Sequence, residues 1–327
     1  MTTTPSTFPP PGPPTGQHGP SVLARRPVLQ AVMDLPMSAS ALDPVSDAIT
    51  GVVHAVEPRW LADLLHGTFL GHPLHPVLAE ITLGTFVGTG VLDALALAGL
   101  VPEEVEDGVD VAATALASTG LAAALPTIAA GWTDWSDLRT EQKRLGLVHA
   151  AGNFVATGLL LASVVSRGRG RRQGGRWLGV AALAVSSLGA ALGGHLSYRW
   201  AAGANHTEDV SSRVPEDWTR VASYADLPVG RPTAATLGEV PVVVLREDSG
   251  VSVMASACSH LSGPLSDGEV VVEDGQTCLV CPWHGSVFRV ADGAVVHGPA
   301  TSPQPTFAVR VSEDGDVLAR LVPLPTR

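Results

Sequence analysis

The sequence predicts two domains of different class, an all-α bundle of four transmembrane helices followed by a small all-β domain. Three observations carry this prediction. Mean hydropathy is +0.25 and only 16% of the 327 residues are charged, an apolar balance for a soluble chain of this length. The apolar residues concentrate between about 73 and 200, in four runs of about 20 residues or more, each long enough to cross a hydrocarbon core of about 30 Å. Beyond residue 215 the texture changes to short β-branched runs separated by Gly, Asp and Pro turns.

Residues 1–35 are rich in Pro, Thr and Gly and are expected to be a disordered tail. No apolar run follows a basic start, so a secretory signal is not expected. Arg25-Arg26 as a twin-arginine signal is disfavoured by Asp34, Asp43 and two prolines close behind it. Residues 36–72 form a pre-membrane segment of mixed character, expected as one or two short amphipathic helices near the membrane surface. The transmembrane domain spans 73–200, with apolar runs over 76–100, 110–132, 146–165 and 177–197. Their Gly, Ala, Ser and Thr content suits closely packed membrane helices. Residues 201–215 read as a polar linker. The β domain, 216–325, carries the runs PVVVLRE, VSVMA, EVVVE, SVFRV, GAVVH and TFAVRVS.

The formal net charge is −11, which argues against a nucleic-acid partner and leaves the lipid bilayer as the expected one. One arginine cluster, Arg167, Arg169, Arg171, Arg172 and Arg176, lies between the third and fourth runs and reads as a topology signal. Arg139, Lys143, Arg144 and Arg199, with Arg59 at the margin, lie on the other face. The positive-inside count is nearly tied. The chain is therefore expected to be a multi-pass protein of the cell membrane with the side of its β domain left open.

There are three cysteines, Cys258, Cys278 and Cys281, within 24 residues of one another. An odd count without repeating spacing is no disulfide framework and suggests a metal site. Cys258-Ser259-His260 is followed, after 20 residues, by Cys281-Pro282-Trp283-His284. Two Cys and two His on two loops suit zinc or a [2Fe–2S] cluster. Zinc fingers usually pair Cys with Cys and His with His. Here each loop supplies one of each, as a cluster with thiolates on one iron and imidazoles on the other requires. Gly263-Pro264-Leu265 and Gly285-Ser286 flank the two loops.

These residues resemble the Rieske family, whose motif reads C-x-H…C-P-x-H-G, over about 110 residues. The resemblance implies a small all-β Rieske domain. Cys258 and Cys281 would hold the deeper iron, and His260 and His284 the outer iron, with an imidazole edge near solvent as the electron exit. Rieske proteins of respiratory cytochrome bc complexes have one more cysteine in each loop. Those positions are expected at Ser262 and Trp283, so no bridge forms. Cys278 is then a buried structural thiol. Ser286 matches a hydrogen-bonding Ser of the high-potential proteins, whereas Phe288 replaces their Tyr and cannot donate. Fewer hydrogen bonds to sulfur imply a potential closer to the ferredoxin type. His297 is expected to be a surface or turn histidine, with Pro303 and Pro305 in a loop shielding the cluster.

The apolar half carries its own histidines. Gly-His-Pro-Leu-His-Pro at 71–76 precedes the first helix, Trp132-Thr133-Asp134-Trp135 ends the second, His149 opens the third and His195 closes the fourth. This pattern resembles, over about 70–205, a widespread bacterial membrane domain family with four predicted helices and no assigned function. Because helix ends alternate sides, His72, His75, Asp134, His149 and His195 share one face, the face from which the β domain leaves. Ionisable groups at membrane depth are costly and are often functional. His72, His75, His149 and His195 are candidate ligands of a haem or a quinone. Interhelical hydrogen bonding without a cofactor is the alternative. Asp93 and Glu80, inside the first helix, serve packing or a pathway.

The functional expectation is one-electron transfer by a membrane-bound iron–sulfur protein, with a protein or quinone as donor and acceptor. No substrate-converting residues stand out, and no 2-His-1-carboxylate site of the kind in Rieske oxygenases is present. A quinol- or haem-linked oxidoreductase using the histidine face, and a redox sensor or scaffold, are the rival readings.

Overall fold

The structure, a computed structural model, describes residues 28–321. The twin-arginine candidate and most of the expected tail lie outside the described residues. The remainder of that tail is not irregular. Val28–Asp34 forms helix α1, and Asp34 Oδ1 accepts hydrogen bonds from His195 Nε2 at 2.8 Å and Trp200 Nε1 at 3.1 Å. The pre-membrane segment folds as two short helices, α2 (Asp43–Val56) and α3 (Arg59–His66). Arg144 anchors it, gripping both oxygens of Asp43 at 2.6 and 2.7 Å.

Four helices are long and apolar enough to cross a membrane. They are α4 (Leu74–Leu97), α5 (Glu103–Ser136), α6 (Thr140–Gly168) and α7 (Arg172–Gly194), the last running on as a π-helical turn over His195–Arg199. α5, α6 and α7 with its π-helical turn outrun the apolar stretches that predicted them, because polar ends continue the helix past the hydrocarbon, whereas α4 stops three residues short of its stretch. Glu103, Glu104 and Glu106 start α5, where negative charge complements the helix dipole. The packed centre is thin and built of Phe86, Ala117, Ala156, Leu160 and Ala182. Small residues let the helix backbones approach closely.

The bundle repeats itself. His75 on α4 donates from Nδ1 to the carbonyl of Thr127 on α5 at 2.9 Å, and a Cβ on Gly131 would lie 2.8 Å from its ring. His149 on α6 donates from Nδ1 to the carbonyl of Gly189 on α7 at 2.8 Å, and a Cβ on Gly193 would lie 3.0 Å from its ring. In both hairpins the glycine follows the accepting carbonyl by four residues. Fourteen residues after each histidine, Thr89 and Ser163 bond the carbonyls of Ala113 and Gly175 on the neighbouring helix. Hairpin α4–α5 and hairpin α6–α7 thus repeat one pattern of contacts at the same spacing, both running away from the metal-centre end, so that the two copies face one another across the bundle axis.

At the far end of the bundle, the equivalent positions Asp93 and Arg167 pair with each other. Arg167 also reaches Asp110 at 3.0 Å, and Arg176 bonds Asp110 at 2.7 Å and Glu106 at 2.6 Å. This corrects the reading of the arginine cluster as simply a topology signal. Arg167 and Arg176 are buried ion-pair partners, because carboxylates on α4 and α5 would otherwise stand uncompensated at membrane depth. Asp93 is a packing residue of this network, and Glu80 lies on the exposed side of α4.

The expected linker is structured as well. It includes the short helix α8 (Val210–Arg213) and packs against the β domain through His206. That domain has three antiparallel sheets. The first contains β1 (Thr219–Ser223), β10 (Asp316–Leu321) and β9 (Phe307–Val311) in that order. The second runs β2 (Pro232–Leu237), β3 (Val240–Glu247) and β4 (Gly250–Ala255). The third runs β5 (Glu269–Glu273), β6 (Gln276–Val280), β7 (Val287–Arg289) and β8 (Val295–His297). Strand β3 is buried on both faces, which explains its unbroken apolar run. Val242 and Val244 enter one core with Val253 and Val317. Val243 and Leu245 enter a second with Leu279, Phe288, Cys258 and Cys281.

Candidate metal centre

The two ligand loops are tight turns closed on their own cysteines. The first lies between β4 and a short 3-10 turn at Leu265–Asp267. Cys258 N–H bonds Gly263 O, and Ser262 N–H bonds Cys258 O, both at 2.8 Å. The second joins β6 to β7. Cys281 N–H bonds Ser286 O at 2.8 Å, and Gly285 N–H bonds Cys281 O at 3.1 Å. Both turns need a left-handed residue, Ser262 at φ +64° and Gly285 at φ +74°. The conformation of Ser262 corrects its expected place opposite Trp283. It carries the side chain away to His206 Nδ1, at 3.2 Å. Gly263 faces Trp283 instead, and a Cβ there would meet Cys281 Sγ at 2.8 Å and the indole at 3.1 Å. No bridge can span the loops in either case, and the three cysteines are free and buried.

A third loop, at about 298–306, holds the first one in place. Gln304 is 1% exposed. Its Nε2 donates to Ala255 O and Ala257 O, each at 2.7 Å, and its Oε1 accepts Ser259 N–H at 3.0 Å. Ser259 Oγ donates to Ser302 O at 2.7 Å. Sequence reasoning named the neighbouring prolines and missed this glutamine. Nothing in one sequence marks a lone amide as the group that satisfies three backbone atoms. Gln304→Leu leaves those three buried groups unpaired, at about 1–3 kcal/mol each. It should lower the melting temperature of the holoprotein and speed loss of iron to a chelator. A variant as stable as wild type would refute this role.

The electrostatics place one thiolate, on Cys281, beside a Cys258 thiol that the hydrogen bond to Cys281 and burial push up, with a neutral imidazole pair opposite. A hydrogen bond from Cys258, with backbone N–H groups of Trp283 and His284, brings Cys281 down to about 6 against the opposing effect of burial. Backbone N–H groups of His260 and Leu261 turn to the Cys258 sulfur. Burial, with the neighbouring His284, depresses His260 to about 3, and burial lowers His284. Both rings are therefore neutral and able to ligate. Their centroids stand 5.1 Å apart, nearly perpendicular. Among the described residues no three His, Cys, Asp or Glu side chains converge as a mononuclear site requires. Two thiols in one pair and two imidazoles in another fit a binuclear group better than a tetrahedral zinc.

The ligand loops face the helical domain, and both His260 and His284 are half-buried there. The His260 ring opens onto a cavity of about 30 Å³ lined by His66, Pro73, Asp134, Leu138 and Pro299. Such a space holds water but no larger molecule. Arg139 Nη2 donates to Leu261 O at 3.0 Å, and His206 N–H to Ser259 O at 2.9 Å. Asp63 on α3 accepts His297 Nδ1–H at 2.7 Å and Gly298 N–H at 2.9 Å. His297 is therefore an interdomain contact and not a surface histidine. Behind the cavity His66, 3% exposed, bonds Asp134 at 2.9 Å and approaches Asp137 at 3.5 Å. Burial alone would depress this imidazole, but the two carboxylates raise it to about 9, so it is a cation at neutral pH.

The membrane histidines lie at the cluster end of the bundle in separate local bonds. His72 is exposed, with Nδ1 3.1 Å from Pro73 O. His195 bonds Asp34. His149 accepts Asn153 Nδ2–H on Nε2 at 3.0 Å besides its bond to Gly189. His75 bonds Thr127 O through Nδ1. The sequence reading missed His54 and His66, whose carboxylate partners lie about 70 or more residues away along the chain.

Residues 217–308 match the family described as the Rieske [2Fe-2S] domain, and residues 71–206 match a predicted membrane protein family, DUF2231. The 3-phenylpropionate/cinnamic acid dioxygenase ferredoxin subunit of Escherichia coli K12 is 34% identical over 98 residues, covering 30% of this chain and 87% of that protein. Cholesterol 7-desaturase nvd 1 of Ciona intestinalis is 33% identical over 102 residues, 31% of this chain and 21% of the desaturase. The chain thus spans about a fifth of that relative's length. Among solved structures, the ferredoxin of carbazole 1,9a-dioxygenase from Nocardioides aromaticivorans IC177 is 28% identical. That match covers 32% of this chain and 98% of the ferredoxin, with a TM-score of 0.30.

Proposed function

The chain belongs to the Rieske [2Fe–2S] family through its C-terminal domain, and on that premise we propose that it is a membrane-bound carrier of single electrons. The observation that carries this reading is the donor set, two thiols and two neutral imidazoles presented in pairs by two loops stapled at Gly263 and Cys281. Cys258 and Cys281 would hold one iron, and His260 and His284 the other. A [2Fe–2S] cluster bound there supplies reversible one-electron oxidation and reduction. The residues around it exclude water and set its electrostatics. Ser286 Oγ already accepts Ala300 N–H at 2.9 Å, so its hydroxyl proton is the part left to donate. Phe288 is fully buried and offers no donor.

The E. coli relative is named as the ferredoxin subunit of a dioxygenase. A ferredoxin-type role, passing electrons to a partner, follows by analogy. One donor fewer beside the cluster places the reduction potential in the lower part of the Rieske range, which runs from about −150 to +300 mV. A redox titration of the detergent-purified protein, followed by electron paramagnetic resonance, should give a one-electron transition there. A midpoint at the top of the range would contradict the ferredoxin assignment, and absence of a Rieske signal would contradict the function.

A second reading adds a haem or quinone at His75. It is supported by the bond that fixes His75 Nδ1 on the Thr127 carbonyl, the tautomer a metal ligand needs, whereas His149 already accepts Asn153 on its Nε2. Sharp haem bands in the optical trace of the same titration would favour it. A trace with iron–sulfur absorption alone would remove haem.

A further inference from the structure

Asp137 stands in the turn between α5 and α6 and is 9% exposed. Two imidazoles from the pre-membrane helices grip its carboxylate. His54 Nε2 lies 3.4 Å from Oδ1 and His66 Nε2 lies 3.5 Å from Oδ2. The turn is fastened to the ligand loops. Leu138 lines the cavity onto which His260 opens, and Arg139 bonds Leu261 O at 3.0 Å.

We propose that Asp137, fixed by His54 and His66 against the histidine side of the metal centre, is a positioning residue that lowers the reduction potential of the docked protein. The reading rests on the one-electron function above. Reduction adds one electron, and so one negative charge, to the cluster. A fixed carboxylate in a water-poor site opposes that charge, and the opposition is stronger there than in bulk water. The other charged groups facing this side are Asp134, the His66 imidazolium, Arg139 and Lys143. Neutralising Asp137 removes one negative charge from this side, and Asp134 still bonds His66 at 2.9 Å, so the expected change favours the reduced centre. The helical domain would thus act on the cluster directly as well as anchoring it.

The test is a redox titration, followed by electron paramagnetic resonance, of the full-length holoprotein in detergent. Asp137→Asn and Asp137→Ser should raise the midpoint, with about tenfold more reduced centre at a given potential, equivalent to 59 mV for one electron. Asp137→Glu, which keeps the charge, should stay near wild type. Asp63→Asn, which loosens the interdomain contact at His297 without touching Asp137, should shift the midpoint less. An unchanged midpoint in whichever neutral variant retains its iron overturns the proposal. So does an equal shift from Asp63→Asn, which would make undocking the cause, and so does loss of iron from both neutral variants, which would make Asp137 a folding residue. If wild type itself gives no one-electron Rieske signal, the function fails rather than this inference.

Discussion

Cys258→Ser and Cys281→Ser should each abolish the iron–sulfur centre, with iron per chain and the electron paramagnetic resonance signal both falling to background. Each thiolate would be an iron ligand that a serine hydroxyl cannot replace, because the hydroxyl stays protonated at neutral pH and is a hard donor. The surroundings are built for sulfur. Backbone N–H groups aim at both sulfurs, and Gly263 leaves room for Cys281 Sγ and little else. The control is Cys278→Ser. This thiol is fully buried, but it sits within β6, opposite Val271 and Arg289, with its Sγ 3.6 Å from Gln276 O. It should keep its cluster and lose only some stability. Full iron content in either Cys258→Ser or Cys281→Ser would remove the assigned ligand set. Iron loss in Cys278→Ser matching theirs would show that the assay reads unfolding.

The broad plan was legible in the sequence because it depends on periodicity and length. Four apolar runs of transmembrane length became α4 to α7, and β-branched runs bounded by turn residues became strands. The candidate ligand loops were legible because their spacing is chemical. What stayed hidden depends on partners distant along the chain. His54 and His66 sit in an amphipathic stretch with nothing local to mark them, and Asp134 and Asp137 give them a role only after α4 and α5 have folded back. Ser262 and Gly263 were exchanged because a left-handed φ decides which of them faces Trp283, and φ is not written in a motif. The repeat escaped notice because its two copies share few residue types. Asp93 and Arg167 hold the same position with opposite charge, which is what lets them pair across the axis.

Breaking the Asp93–Arg167 pair on one side should strongly destabilise the membrane domain. Arg167 is 9% exposed and Asp93 1%, at the end of the bundle away from the metal centre. Arg167→Ala would leave Asp93 with a bare carboxylate in a packed, apolar setting and would weaken the hold on Asp110, which then depends on Arg176. Breaking a buried pair on one side costs about 3–5 kcal/mol, because the remaining charge has no water to turn to. Replacing both partners is far milder, since no charge is stranded. The double variant Asp93→Leu, Arg167→Leu should recover most of the loss. Thermal unfolding in detergent, read for Asp93→Leu, Arg167→Leu and the double that combines them, gives the coupling directly. The cluster signal of each variant at a permissive temperature should match wild type, because the network lies at the opposite end of the helices. Additive losses would mean that the two side chains do not stabilise one another, and the contact joining the two repeats would then lie in the small-residue packing of Phe86, Ala117, Leu160 and Ala182.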